Sequence, residues 1–268
     1  MTRPKFSAAV LQFRIDIGDV AANRDRAVGW ISEAAKRGAR LCVLPEMWST
    51  GFAQEQLLSL SRATPAILHE LRLLASSLRV VIAGSLPERT GRSVFNTMYV
   101  INTTGVVTGE YRKAHLFTPS SENLWFRRGS STGVIHTNVG PLGPLVCYDL
   151  RFPELSRKYF LEQASVLCVC AQWPAVRASH WDILVKARAV ENQVYVVAAN
   201  ATGVSGPFRY SGGSVIVSPS GEALAGLAEE EGVAIATIDP ALAEEIQRRI
   251  PCRENRNPKV YRKTRQPV

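Results

Sequence analysis

Apolar positions along this chain recur at two spacings, and the alternation between them predicts a succession of strands and helices. Phe6 to Ile15 alternates loosely and reads as a strand. Asp19 is placed to cap a helix that runs to Lys36 with Ala27, Ile31 and Ala34 as its stripe, and Gly38 stops it. Arg40 to Leu44 is the next strand. Pro45 ends it, so that Glu46 projects from the carboxyl end, the edge at which open α/β sheets bind ligands. A second helix, Thr64 to Leu78 with Ile67, Leu71 and Leu74 in register, leads into a buried strand from Val80 to Gly84. Strand, helix, strand, helix, strand is the pattern of an α/β fold.

The second half repeats the alternation with different punctuation. Val94 to Ile101 and Val106 to Arg112 read as a hairpin turned by Asn102-Thr103-Thr104-Gly105, and Lys113 follows its second strand. From Thr118 to Thr132 the chain is irregular and reads as a loop over a site. Leu142 to Val146 is a short strand that delivers Cys147, and Phe152 to Glu162 is helical, with Pro153 and Glu154 at its start. Val166 to Ala171 and Val194 to Ala199 are buried strands flanking a helix from Ser179 to Gln193, whose apolar register is Ile183, Ala187 and Val190. Gly213 to Pro219 and Gly232 to Ile238 are expected to close a second β-α-β-like half.

Composition narrows the class. With 268 residues, 46% of them hydrophobic, the chain can bury a full core. Neither a linker nor a 20-to-50-residue repeat divides it, so one domain is expected over residues 1–250. No apolar run approaches the ~18 residues of a membrane span, and the start MTRPKFSAAVLQF lacks a cleavable signal pattern, so a cytoplasmic protein is expected. The net charge of +9 would suggest a nucleic-acid partner, but six basic residues against one acid fall after Ile250. The excess is a tail over 251–268, and no nucleic-acid-reading module accompanies it, so no nucleic acid is expected. Five cysteines, an odd number without paired-ligand spacing, argue for reduced thiols and no zinc, and no GxGxxG or P-loop run is present.

Candidate chemistry centres on Cys147. Most free cysteines are inert packing, and Cys42, Cys168 and Cys170 lie in apolar runs that suit that role. Cys147 differs because it sits on a strand-to-helix turn, where exposure and helix-end amides would favour a thiolate. With Glu46 and Lys113 it gives, in chain order, a carboxylate, an ammonium and a thiol. Taken alone, Lys113 reads as a solvated surface charge, the usual role of a lysine leaving a strand.

These residues carry a resemblance. Glu46 in LPEMWSTGF, Lys113 in YRKAHLF and Cys147 in CYDLRFPEL resemble the Glu-Lys-Cys pattern of the nitrilase superfamily of carbon-nitrogen hydrolases. Gln172-Trp173-Pro174, the helix SHWDILVKARAVENQ and Tyr210-Ser211-Gly212-Gly213-Ser214 extend the likeness over nearly the whole chain, closest to the omega-amidase branch. The resemblance implies a four-layer αββα sandwich, usually assembled as a homodimer or higher homo-oligomer, with the basic tail near the subunit interface. It implies hydrolysis of a small carboxylate-bearing primary amide through a thioester on Cys147, needing no metal or cofactor. Glu46 would be the base, and Lys113 and the Tyr148 N–H would be oxyanion donors. Glu122 would be the family's second glutamate, Trp173 a supporting residue, and Arg151 and Arg177 carboxylate clamps. For Arg151 the alternative is structural, tying loop carbonyls. Alternative activities are deaminated-glutathione amidase, N-carbamoyl amidase and nitrilase, or a silent scaffold subunit. Asp149-Leu150-Arg151 lacks the second arginine usual in carbamoylases, Gln172 replaces an asparagine usual in omega-amidases, and Ala201-Thr202-Gly203 replaces Arg-Val-Gly.

Overall fold

The computed structural model describes residues 3–261. Its strands are β1 (Phe6–Gln12), β2 (Leu41–Val43), β3 (Val81–Thr90), β4 (Ser93–Ile101), β5 (Val107–Arg112), β6 (Ile135–Thr137) and β7 (Gly140–Val146). The second half adds β8 (Val166–Ala171), β9 (Tyr195–Asn200), β10 (Thr202–Ser205), β11 (Phe208–Ser211), β12 (Val215–Val217), β13 (Ala223–Gly226) and β14 (Gly232–Ile238). The helices are α1 (Val20–Lys36), α2 (Leu57–Leu60), α3 (Thr64–Leu78), α4 (Glu122–Trp125), α5 (Pro153–Leu161), α6 (Ala178–Asn192), α7 (Pro240–Arg249) and α8 (Pro258–Tyr261).

Two six-stranded sheets result, ordered β14-β1-β2-β3-β4-β5 and β13-β12-β9-β8-β7-β6. Each has three parallel strands at its centre, β1-β2-β3 in one and β7-β8-β9 in the other, flanked by antiparallel neighbours. Strand alternation explains the layers, because successive side chains point to opposite faces. In β1, Ala8 and Val10 turn toward the second sheet and join Leu145, Val169 and Val197 in one buried cluster. Ala9 and Leu11 turn outward and pack with Ile31 of α1 and Leu71 of α3. Tyr159 of α5 and Val185 of α6 cover the outer face of the second sheet. The order is helix, sheet, sheet, helix, the αββα sandwich expected.

Local signals acted where they were read. Asp19 caps α1 by accepting from Ala22 N, and Gly38 just past its end has φ 87°. Two expectations fail. Gly232 to Ile238 does not close the second half: it pairs antiparallel with β1, with Phe6 opposite Ile238, and so completes the first sheet. Nothing local in that strand distinguishes the two edges. On α6 the expected stripe faces outward, with Ile183 63% and Val190 50% exposed. The buried face is Trp181, Val185, Arg188, Ala189 and Asn192. Arg188 is admitted because its Nε donates to Leu150 O at 3.0 Å and its Nη1 pairs with Glu191 at 2.8 Å. Satisfied polar groups can be buried, and a purely apolar stripe misses them.

Past Ile250 the chain lies against α5, where Arg253 Nη2 donates to Phe160 O at 2.7 Å and the guanidinium stacks over the Phe160 ring. Val260 and Tyr261, the apolar part of the expected strap, are 72% and 63% exposed. Arg262, Lys263 and Arg265 lie outside the described residues.

Candidate active site

Four strand ends converge on one cavity. Glu46 follows β2, Lys113 follows β5, Cys147 follows β7, and Gln172-Trp173 follow β8. The parallel centre of each sheet makes this possible, since it delivers strand carboxyl ends to the same edge. The bond from Glu46 N to Ala171 O, 3.2 Å, stitches the two sheets together there.

Both reactive turns are tight. Met47, immediately after Glu46, has φ 45°, and Cys147 has φ 47°. A left-handed conformation costs a non-glycine residue roughly 1–2 kcal/mol, so the surrounding structure must hold it. Met47 N donates to Ser85 Oγ at 2.8 Å. Gly84 leaves room for the same turn, because a Cβ there would come within 2.9 Å of Trp48 Nε1 and 3.1 Å of Leu44 Cβ.

Glu46, fully buried, is held at both carboxylate oxygens. Oε1 accepts from Lys113 Nζ at 2.8 Å and Asn96 Nδ2 at 2.7 Å, and among the described residues Oε2 accepts only from Gln172 N at 3.1 Å. Oε2 therefore keeps a lone pair for a proton. Lys113 is 1% exposed, and Glu122 Oε1 and Oε2 hold its ammonium at 2.8 and 3.0 Å. Burial works against that charge, but the carboxylates of Glu122 and Glu46 outweigh it and keep the ammonium well above its ordinary range. An ammonium has three N–H donors and three glutamate oxygens lie within hydrogen-bond distance of it, so an incoming oxygen would take over one of the two Glu122 contacts.

Glu122 comes from a segment expected to be wholly irregular. The segment contains a 3-10 turn at Thr118–Ser120 and then α4, which starts at Glu122. Phe117 N donates to Glu122 Oε2 at 2.9 Å and completes the carboxylate's anchoring. Burial raises the Glu122 carboxyl against the pull of Lys113.

Cys147 is 9% exposed rather than open, and this corrects the expectation of a resting thiolate. Burial and the Glu46 charge push the thiol well above its usual range, with Lys113 opposing. The helix amino end is only the five-residue 3-10 turn Cys147–Arg151, too short for a large dipole. The thiol therefore rests protonated beside a carboxylate that can take its proton. Cys42 and Cys168, at 0% exposure and pushed up to about 12 by burial, have no such partner among the described residues.

Asp149 was missed, and it organises the turn. Fully buried, it accepts from Tyr111 OH at 2.8 Å, His115 N at 3.1 Å and Val146 N at 3.0 Å, with His115 Nδ1 2.8 Å away. It fastens residues on both sides of Lys113 to the nucleophile turn. Asn96 was missed too. Neither residue has a sequence signal of its own, since each acts through partners far along the chain.

Around Cys147 lies a cavity of about 140 Å³ whose lining includes Glu46, Glu122, Tyr148, Arg151, Trp173 and Arg177, with Phe52, Phe117, Phe208 and Tyr210 supplying apolar wall. That is smaller than the ~300–1,000 Å³ of drug-sized ligand sites. The Tyr148 ring packs edge-on against Phe117 and Phe152, and its amide belongs to the first turn of the 3-10 helix, where N–H groups lack intrahelical partners. Trp173 is a base plate: its amide donates to Asn200 Oδ1 at 2.7 Å, its indole donates to Arg177 O at 2.8 Å, and Arg151 lies 4.9 Å over its ring. Arg177 lies over Phe117. Among the described residues neither guanidinium is ion-paired. Arg151 reaches His180 Nδ1 at 3.0 Å, and no loop carbonyl among the described residues accepts from it. No helix among the described residues is long and apolar enough to cross a membrane, and no cluster of three His, Cys, Asp or Glu could hold a metal.

The chain is similar along most of its length to known proteins. A 2-oxoglutaramate amidase of Bacillus subtilis (strain 168) is 37% identical over 249 residues, 92% of this chain and 96% of the relative. The solved carbon-nitrogen hydrolase of Helicobacter pylori G27 superposes with TM-score 0.91 at 25% identity, covering 96% and 97% of the two chains. A solved amidase mutant of Nesterenkonia sp. AN1, with the acetamide moiety of fluoroacetamide added covalently at its active-site cysteine, matches at TM-score 0.82 and 27% identity, covering 94% and 97%. The family profile described as "Carbon-nitrogen hydrolase" matches residues 7–248. With Glu46 and Cys147 lining one cavity, Lys113 hydrogen-bonded to Glu46 behind it, and that match spanning nearly its full length, the chain belongs to the carbon-nitrogen hydrolase family.

Proposed function

We propose that this hydrolase removes ammonia from the terminal amide of a small carboxylate-bearing acid, the class to which 2-oxoglutaramate belongs, through a thioester on Cys147. The carrying observation is the charge layout of the cavity. At its inner end Glu46 and Glu122 line the wall and share the Lys113 ammonium buried behind them, two carboxylates on one ammonium. Its lining adds Arg151 and Arg177, unpaired with any carboxylate among the described residues. An amide with a free carboxylate fits both ends, its carbonyl toward Cys147 and its anion toward the guanidiniums.

These contacts support the following steps. Glu46 Oε2 takes the thiol proton as Sγ bonds to the amide carbon, and the carbonyl oxygen becomes an oxyanion. Lys113 Nζ and the Tyr148 amide donate to it, each worth roughly 3 kcal/mol of transition-state stabilisation. The C–N bond breaks as Glu46 returns the proton to nitrogen, releasing ammonia and leaving the thioester. Water then attacks the thioester with Glu46 as base, the thiol recovers its proton, and the carboxylate product departs.

The activity is tested with two amides of equal length, a five-carbon dicarboxylic acid monoamide and neutral valeramide. A charge-assisted hydrogen bond contributes about 1.5–3 kcal/mol, so the anion is expected to be favoured in kcat/KM by at least roughly 10-fold for each guanidinium that engages it. Equal kcat/KM for the two amides would refute the carboxylate-bearing substrate class.

A further inference from the structure

We propose that His180 is the positioning residue of the anion clamp, aiming Arg151 at the substrate carboxylate without cancelling its charge. The inference rests on the carboxylate-clamp reading above and goes beyond it by assigning discrimination between anionic and neutral amides to a residue outside the cavity wall. Arg151 Nη2 lies 3.0 Å from His180 Nδ1. An arginine carries donors only, so in this bond Nδ1 is the acceptor.

The placement of His180 is built in. His180 is exposed, but it is the third residue of α6, and the next residue, Trp181, is 4% exposed and packs behind Trp173 of the cavity wall. The Trp181 ring packs 5.7 Å from that of Trp173, and its Nε1 donates to Gly213 O at 2.7 Å. Trp173 in turn supports the Arg151 guanidinium from below, 4.9 Å from its ring. Arg151 is thus held between an aromatic face and an imidazole acceptor, both fixed to the start of α6.

The chemistry of the partner matters. A free arginine side chain has rotamer entropy to lose on binding, and part of that is already lost here. A carboxylate in place of His180 would orient the guanidinium equally well but neutralise it. The imidazole orients it and leaves the positive charge for the ligand, while the remaining N–H groups of the fork stay available for a bidentate contact.

The test measures kcat and KM of the full chain on the five-carbon monoamide and on valeramide, for the unaltered enzyme and for His180→Ala, His180→Asn, His180→Asp, Arg151→Met and the double variant Arg151→Met/His180→Ala. His180→Ala is expected to lower the preference for the anion roughly 2- to 12-fold, the worth of one ordinary hydrogen bond, through KM rather than kcat. His180→Asn, whose Oδ1 can stand where Nδ1 stood, restores most of it. His180→Asp lowers the preference further than Ala by neutralising Arg151. Adding His180→Ala to Arg151→Met changes nothing more, because the two act as one unit. The proposal is overturned if His180→Ala affects both amides equally, if Asn fails to rescue, or if the histidine and arginine effects add. If Arg151→Met leaves the anion preference intact, Arg151 is no clamp and the role of His180 falls with it, while the thioester chemistry stands. If the unaltered enzyme shows no anion preference, the proposed substrate class itself fails.

Discussion

Replacing Lys113 by methionine separates the electrostatics of the site from its chemistry. The ammonium is buried between Glu46 and Glu122 at 2.8 Å from each, so its removal leaves two carboxylates facing each other out of water. Removing one partner of a buried ion pair typically destabilises by about 3–5 kcal/mol. At about 2–4 °C per kcal/mol for a chain of this size, thermal unfolding should fall by roughly 6–20 °C at neutral pH. Two such carboxylates share a proton, and the Glu122 carboxyl, already raised by burial, rises further once Lys113 no longer opposes it. The folded variant then binds more protons than the unfolded chain, so its stability increases as pH falls through that raised value. In the unaltered enzyme the lysine sets the opposite limit. Its ammonium is held well above the ordinary range, so its contribution is complete below the unfolded lysine pKa and is lost only as pH rises through the folded value. The double variant Lys113→Met/Glu122→Gln removes one of the two facing charges and should regain part of the lost stability while remaining inactive. Urea unfolding followed by circular dichroism at several pH values decides it. A Lys113→Met protein as stable as the unaltered one at neutral pH, or a double variant less stable than the single, would refute the buried-triad electrostatics.

Two further outcomes follow from contacts away from the reacting atoms. Asp149→Asn keeps the shape but turns one acceptor into a donor facing donors from Tyr111, His115 and Val146. With about 1–3 kcal/mol for each unsatisfied group, stability should fall and kcat should drop more than KM rises; unchanged kinetics and unfolding would show that Asp149 fastens nothing. Truncation after Ile250 removes the Arg253 contacts to Phe160 and should lower the unfolding temperature, and a truncated chain of unaltered stability and unaltered light-scattering mass would show that the basic tail is no strap.

The layered fold was legible because its information is local. Caps, stops and period changes stand next to the elements they define, as at Asp19 and Gly38. Strand partnership is not local, so Gly232–Ile238 was given to the wrong half and only its pairing with Phe6–Gln12 corrects this. The α6 face was misread for a related reason: Arg188 and Asn192 are buried by partners a sequence window cannot see. At the site, Glu46, Lys113 and Cys147 could be found because each follows a strand and together they resemble a known pattern. The protonation state of Cys147 could not, because burial and the proximity of Glu46 are properties of the assembled cavity. Asp149, Asn96 and His180 act through other side chains and leave no motif.

The central claim is that Cys147 is the nucleophile, and the most direct measurement is ammonia release by purified Cys147→Ala supplied with the five-carbon monoamide, beside the unaltered enzyme. Trading a thiol for a methyl at a turn removes little packing, so circular dichroism should show the same fold and substrate should still bind. Without the sulfur no thioester can form, and release should fall by roughly 10⁴-fold or more, the scale seen when a nucleophile is deleted from a catalytic unit. Release near the unaltered rate from the folded Cys147→Ala protein would contradict the account.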